Sequence, residues 1–74
     1  MIFDVQFTVY YLQRIILKIY NVNGREVAVV LDENLPAGEH LITYDLSGLP
    51  AGIYFYRLST VDCRLTTAGK LVKY

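Results

Sequence analysis

Ser47, His40 and Asp45 are the residue types of a nucleophile, a base and its orienter. No nucleophile-elbow motif surrounds Ser47. His40 falls at the predicted start of a strand and Ser47 in a loop beyond it, so the favoured reading is ordinary loop and strand polarity. Cys63 sits beside Arg64, a neighbour that lowers a thiol's pKa, but a packed turn cysteine is the better reading. As the single cysteine it allows no internal disulfide, and with one histidine it cannot complete a thiolate/imidazole zinc site. Asp32, Glu33 and Glu39 carry the oxygens that Ca²⁺ prefers, yet their spacing matches no defined loop, so they read as solvated charges. Gly48 and Gly52 precede no helix and cradle no phosphate. Tyr20, Tyr54 and Tyr56 beside Lys18 and Arg57 are a base-stacking composition, but seven basic and seven acidic residues cancel. Cross-strand aromatic packing is favoured. The expectation is therefore no catalytic residues, no metal, no cofactor, no small-molecule substrate and no nucleic acid.

The segments between these residues alternate with the period of two of half-buried strands. Phe3, Val5, Phe7 and Val9 point one way, and Asp4, Gln6, Thr8 and Tyr10 the other. In Ile15 to Val22, the residues Ile15, Leu17 and Ile19 oppose Lys18 and Tyr20. Asn23-Gly24 predicts a type I′ hairpin turn, which needs positive φ at both positions. Glu26 to Leu31 is the returning strand, and residues 34–38 form a Pro/Gly loop. His40 to Leu46 turns Ile42, Tyr44 and Leu46 to one side, and a second Pro/Gly loop spans 47–52. Ile53 to Leu58 turns Tyr54, Tyr56 and Leu58 inward. After a turn near Asp62-Cys63, a last strand runs from about Arg64 to Tyr74, with a break or bulge expected at Gly69. The tetrapeptide LPAG occurs at 35–38 and 49–52, which reads as shared turn chemistry and not as an internal repeat. Six or seven such strands predict an all-β fold, a small antiparallel sandwich or barrel in one domain over 1–74.

Composition agrees. Of 74 residues, 54 % are hydrophobic and ten are aromatic, which excludes a disordered chain. A chain this short buries only about 60–70 % of its unfolded surface and usually needs a staple. With disulfide and zinc unavailable, oligomerisation is the staple left. The N-terminus has no basic region followed by an apolar one, and the longest apolar run, residues 27–31, is far too short to span a bilayer.

From Ile15 onward the chain resembles the C-terminal sorting domains of the type IX secretion system. Residues 17–27 (LKIYNVNGREV) resemble that family's hairpin. Leu35-Pro36-Ala37-Gly38-Glu39-His40 and Tyr44-Asp45 follow in order, and residues 49–58 (LPAGIYFYRL) resemble its aromatic strand. The Ig-like domain of flagellar hook-capping proteins shares much of the pattern. The resemblance implies a seven-stranded Ig-like sandwich with a non-catalytic role at the C-terminus of cargo proteins. Such a domain is recognised by outer-membrane export machinery and is often removed when cargo is attached to the cell surface of certain Gram-negative bacteria. The final segment departs from the family. Residues 61–64 and 66–70 replace a Gly-Asp-aromatic turn and paired lysines, although Leu71-Val72-Lys73 keeps the apolar-basic ending. Met1 lies close to the family domain's own start, so the expectation is a domain without attached cargo, either released or with another job.

Two partners follow as expectations: the export machinery, or further copies of this chain forming a structural filament. Contacts are expected at Val9 and Tyr11 in an uncharged edge run, and at Leu41 and Phe55, which face outward if their neighbours face the core. Lys70, Leu71, Val72 and Lys73 of the last strand complete the set. The expected location is extracellular or on the outer cell surface.

Overall fold

A computed structural model describes residues 2–60 and 66–74. Six strands follow one another: β1 (Ile2–Val9), β2 (Gln13–Asn21), β3 (Glu26–Leu35), β4 (Gly38–Asp45), β5 (Gly52–Thr60) and β6 (Thr66–Lys73). They form a two-stranded sheet, β1-β4, and a four-stranded sheet ordered β3-β2-β5-β6, with every pairing antiparallel.

The period-two pattern sets which faces meet. Phe3, Val5, Phe7 and Val9 of β1 are buried in strict alternation with exposed neighbours. Ile15, Leu17 and Ile19 of β2 and Leu58 of β5 are completely buried. Leu31, Leu46, Tyr54 and Leu71 complete one apolar cluster between the sheets. The Phe3 ring of one sheet lies 4.8 Å from the Tyr56 ring of the other, centroid to centroid. Burying a side chain of this size contributes about 1.5–3 kcal/mol, so the dozen inward residues carry the stability of a chain with no covalent staple.

The sheet order is that of an Ig-like sandwich in which β1 and β4 stand as strands B and E and β3-β2-β5-β6 as C′, C, F and G. The Tyr54 hydroxyl, near the start of β5, donates to the Pro50 carbonyl four residues upstream at 2.6 Å. That bond is the tyrosine corner of such folds.

Both LPAG segments carry the chain from one sheet to the other, β3 to β4 and β4 to β5. Each ends on a glycine that opens a strand with positive φ, 135° at Gly38 and 154° at Gly52. Shared turn chemistry thus has a concrete form, a corner between layers.

Three expectations are corrected. The β2-β3 turn is centred on Val22-Asn23 and not on Asn23-Gly24, because the Gly24 amide donates to the Asn21 carbonyl at 3.0 Å and the Asn21 amide to Arg25 at 2.9 Å. This is a three-residue hairpin loop, chosen because the Asn21 Oδ1 accepts from the amides of both Asn23 and Arg25. Strand β3 runs on to Leu35 and does not stop at Leu31, since residues 32–35 continue to pair with β2. At Gly69 there is no break: it pairs directly with Tyr56. A Cβ there would lie 2.6 Å from the Tyr56 Cζ, so the glycine makes room for the ring crossing β6.

Candidate functional site

The residues with catalytic types do not converge. His40 Nε2–H donates to the Pro36 carbonyl at 2.8 Å, and its ring stacks on Phe7 with centroids 5.7 Å apart. Asp45 Oδ1 accepts from the Ser47 amide at 2.9 Å, and that bond holds its carboxyl below the ordinary range. These are a turn and a strand flank. Asp32 lies in β3, where Arg14 of β2 grips it with two bonds of 2.6 and 2.8 Å. The hydrogen bond lowers the Asp32 pKa and raises that of Arg14. Glu39 stands in the other sheet. Among the described residues no group of three His, Cys, Asp or Glu side chains gathers to hold a metal. Cys63 and Arg64 lie outside the described residues.

Of the expected contact residues, two face the core. Val9 is 2 % exposed and belongs to the alternating inward row of β1, so its side chain is not a surface contact. The apolar run that continues past it is a bend between β1 and β2, where Tyr10, Tyr11 and Leu12 are exposed. Leu71 is 9 % exposed and packs in the same core, opposite Tyr54. Lys73 is held in place: its Nζ donates to the carbonyls of Leu46 (2.8 Å), Ser47 (3.2 Å) and Leu49, fastening the end of β6 to the β4-β5 corner. An ammonium with three donors suits such a ring of carbonyls.

The remainder divide between the two outer faces. Leu41, 64 % exposed, lies on the outside of the two-stranded sheet. Its neighbours there in register are Asp4, Gln6, Thr8, Glu39, Thr43 and Asp45, three acids and no base. Phe55, 42 % exposed, lies on the outside of the four-stranded sheet. Tyr20 of β2 and Lys70 of β6 stand directly opposite it on either side, and Val72 stands opposite Ile53. The next row is Lys18, Arg57 and Ala68. Tyr20, Val22, Phe55, Arg57 and Ala68 line a depression of about 430 Å³ on this face. Tyr20 therefore lies on the outer face and Tyr54 and Tyr56 on the inner one, so these three tyrosines do not form one row.

Zero net charge thus conceals a segregated distribution. On the four-stranded face, Glu26 pairs with Lys18 at 2.9 Å and Asp32 with Arg14. The Glu26 hydrogen bond raises the Lys18 pKa. Among the described residues, no carboxylate pairs with Arg57 or Lys70. Pair register, which tells which residues become neighbours across strands, was the information sequence reasoning lacked for this face.

The fold and its surfaces define a β-sandwich module whose chemistry resides in its faces and corners, in the manner of an Ig-like recognition domain. A family model described as the secretion system C-terminal sorting domain matches residues 2–73. The chain belongs to that family, the sorting tails of type IX secretion. It is not an enzyme family. No curated protein and no solved structure matches the chain significantly.

Proposed function

We propose that this chain is a recognition element for export, a folded tag read by the type IX machinery that directs an attached polypeptide to the cell exterior or outer surface. The single observation that carries this is the family match over residues 2–73. The architecture is consistent with such a role, because a tag read by a machine needs a persistent shape more than a reactive group. Residues 1–74 act together as one module, and its partners are proteins of the export apparatus. Phe55, Lys70 and Val72 on the outer face of the four-stranded sheet, with Tyr11 in the bend before β2, are the proposed contact residues; Leu41 stands on the other outer face.

Self-assembly into filaments, the other reading the sequence suggested, gains no support. The test is a fusion of residues 1–74 behind a periplasmic reporter in a host with a working type IX system. Export of the reporter is expected, and its retention in the periplasm would refute the proposal.

A further inference from the structure

The outer face of the four-stranded sheet brings exposed aromatic rings and cations together. Three observations coincide there. First, Lys18 and Arg57 stand directly opposite each other across β2 and β5. Like charges in that relation repel. Glu26 relieves Lys18 at 2.9 Å, whereas Arg57 has no carboxylate partner among the described residues. Second, Lys70 stands opposite exposed Phe55 and adds a further cation without a carboxylate partner among the described residues. Third, the aromatic rings of Tyr20 and Phe55, with Val22, border a depression of about 430 Å³ beside Arg57. A fold under selection for stability alone has no reason to keep a repulsive pair next to exposed aromatics; a binding face does.

We infer that this face, centred on Tyr20, Phe55, Arg57 and Lys70, is where the module docks on an acidic surface of a protein partner. The inference rests on the export reading above and names the surface through which export recognition occurs. Protein chemistry fits best. Tyr, Phe and Arg around an apolar centre are the residues that dominate protein interfaces, and the depression admits one apolar side chain of the partner. Carboxylates supplied by that partner neutralise Arg57 and Lys70 and remove the repulsion from Lys18. The opposite outer face carries Asp4, Glu39 and Asp45 and, among the described outward residues of β1 and β4, no basic side chain, so it is of the wrong sign for the same partner.

The experiment compares three reporter fusions in the type IX host: the natural module, the double variant R57E/K70E, and the opposite-face control D4K/E39K. Reporter in the medium is expected to fall about tenfold or more for R57E/K70E, as when charges at the centre of an interface are reversed, and to stay near the natural level for D4K/E39K. Because Arg57→Glu replaces a repulsive neighbour of Lys18 with an attractive one, the purified double variant is expected to melt no lower than the natural module. Loss of export then cannot be loss of folding. Export of R57E/K70E at the natural level overturns the inference, as does an equal loss in both variants. Should the double variant melt lower, the neutral pair R57Q/K70Q is scored by the same criteria. Sedimentation of the natural module gives the remaining outcome: a dimer that R57E/K70E disperses overturns the assignment, because the occupant is then a second copy. If the natural fusion itself is not exported, the export reading fails and not this one alone.

Discussion

Gly69→Ala is a small change with a calculable consequence. In the native sheet Gly69 lies directly across from Tyr56, and an added Cβ would stand 2.6 Å from the Tyr56 Cζ and Oη, where ordinary contact begins at 3.4 Å. Cε1 of the ring lies closer still, so the ring must move by about 1 Å, enough to forfeit about half of the dispersion attraction at the contacts it leaves. Its contact with Phe3, at 4.8 Å between centroids, joins the two sheets, so the displacement weakens the seam of the sandwich. Inserting a methyl into a packed site costs about 1–3 kcal/mol. Replacing glycine returns about 0.4–1 kcal/mol by restricting the unfolded chain. The net is about 1–2 kcal/mol of destabilisation, a fall in Tm of about 4–16 °C for a domain of this size. Thermal unfolding followed by circular dichroism measures it, and the double variant G69A/Y56L separates the cause. With the ring removed, the alanine has nothing to strike, so its cost should vanish or change sign. Gly69→Ala melting at or above the natural module, or a strictly additive double variant, would refute the argument.

Lys73→Met removes the ammonium from the carbonyls of Leu46, Ser47 and Leu49; a loss of about 1–3 kcal/mol is expected, with faster amide exchange in residues 46–49. Val9→Ala should cost about 1–3 kcal/mol, whereas Leu41→Ala should stay within about 0.5 kcal/mol by urea titration, because the first opens a cavity and the second faces water. The Asp45 carboxyl is held below its ordinary value by the Ser47 amide, so its contribution to stability is complete above the ordinary value and is lost as pH falls through the lowered one. Asp45→Asn keeps an acceptor but does not titrate. Its Tm should decline less steeply than the natural module's as pH is lowered from about 5 to about 2, and parallel profiles would contradict this.

The inward and outward partition of β1, β2 and β5 is legible in the amino-acid sequence alone, because a buried strand face imposes a period of two whatever its partners. Phe3 to Val9, Ile15 to Ile19 and the Tyr54-Tyr56-Leu58 set all fall on the expected side. The turn role of LPAG is legible for a similar local reason, since proline and glycine set their own backbone, while its place as a corner between sheets comes from the strand order. Val9 shows where local reading conflicts with itself: it belongs both to an alternating row and to an apolar run, and burial against the facing sheet decides for the row. The bulge that Gly69 suggests gives way to a different role only once Tyr56 lies across it. Lys73 reads in sequence as a basic ending, and becomes a fastening because Leu46 and Leu49, more than twenty residues earlier, turn their carbonyls toward it.

Charge is the clearest case of the division. Summed along the chain it is zero, and nothing in the order of residues suggests otherwise. Strand pairing places Asp4 and Glu39 on one outer face, and Arg57 and Lys70 on the other. Periodicity determines which side of its own strand a residue occupies, because that depends on backbone geometry alone. Which strands lie side by side, and therefore which charges and rings become neighbours, depends on contacts between residues distant in sequence. Only the folded sandwich decides that.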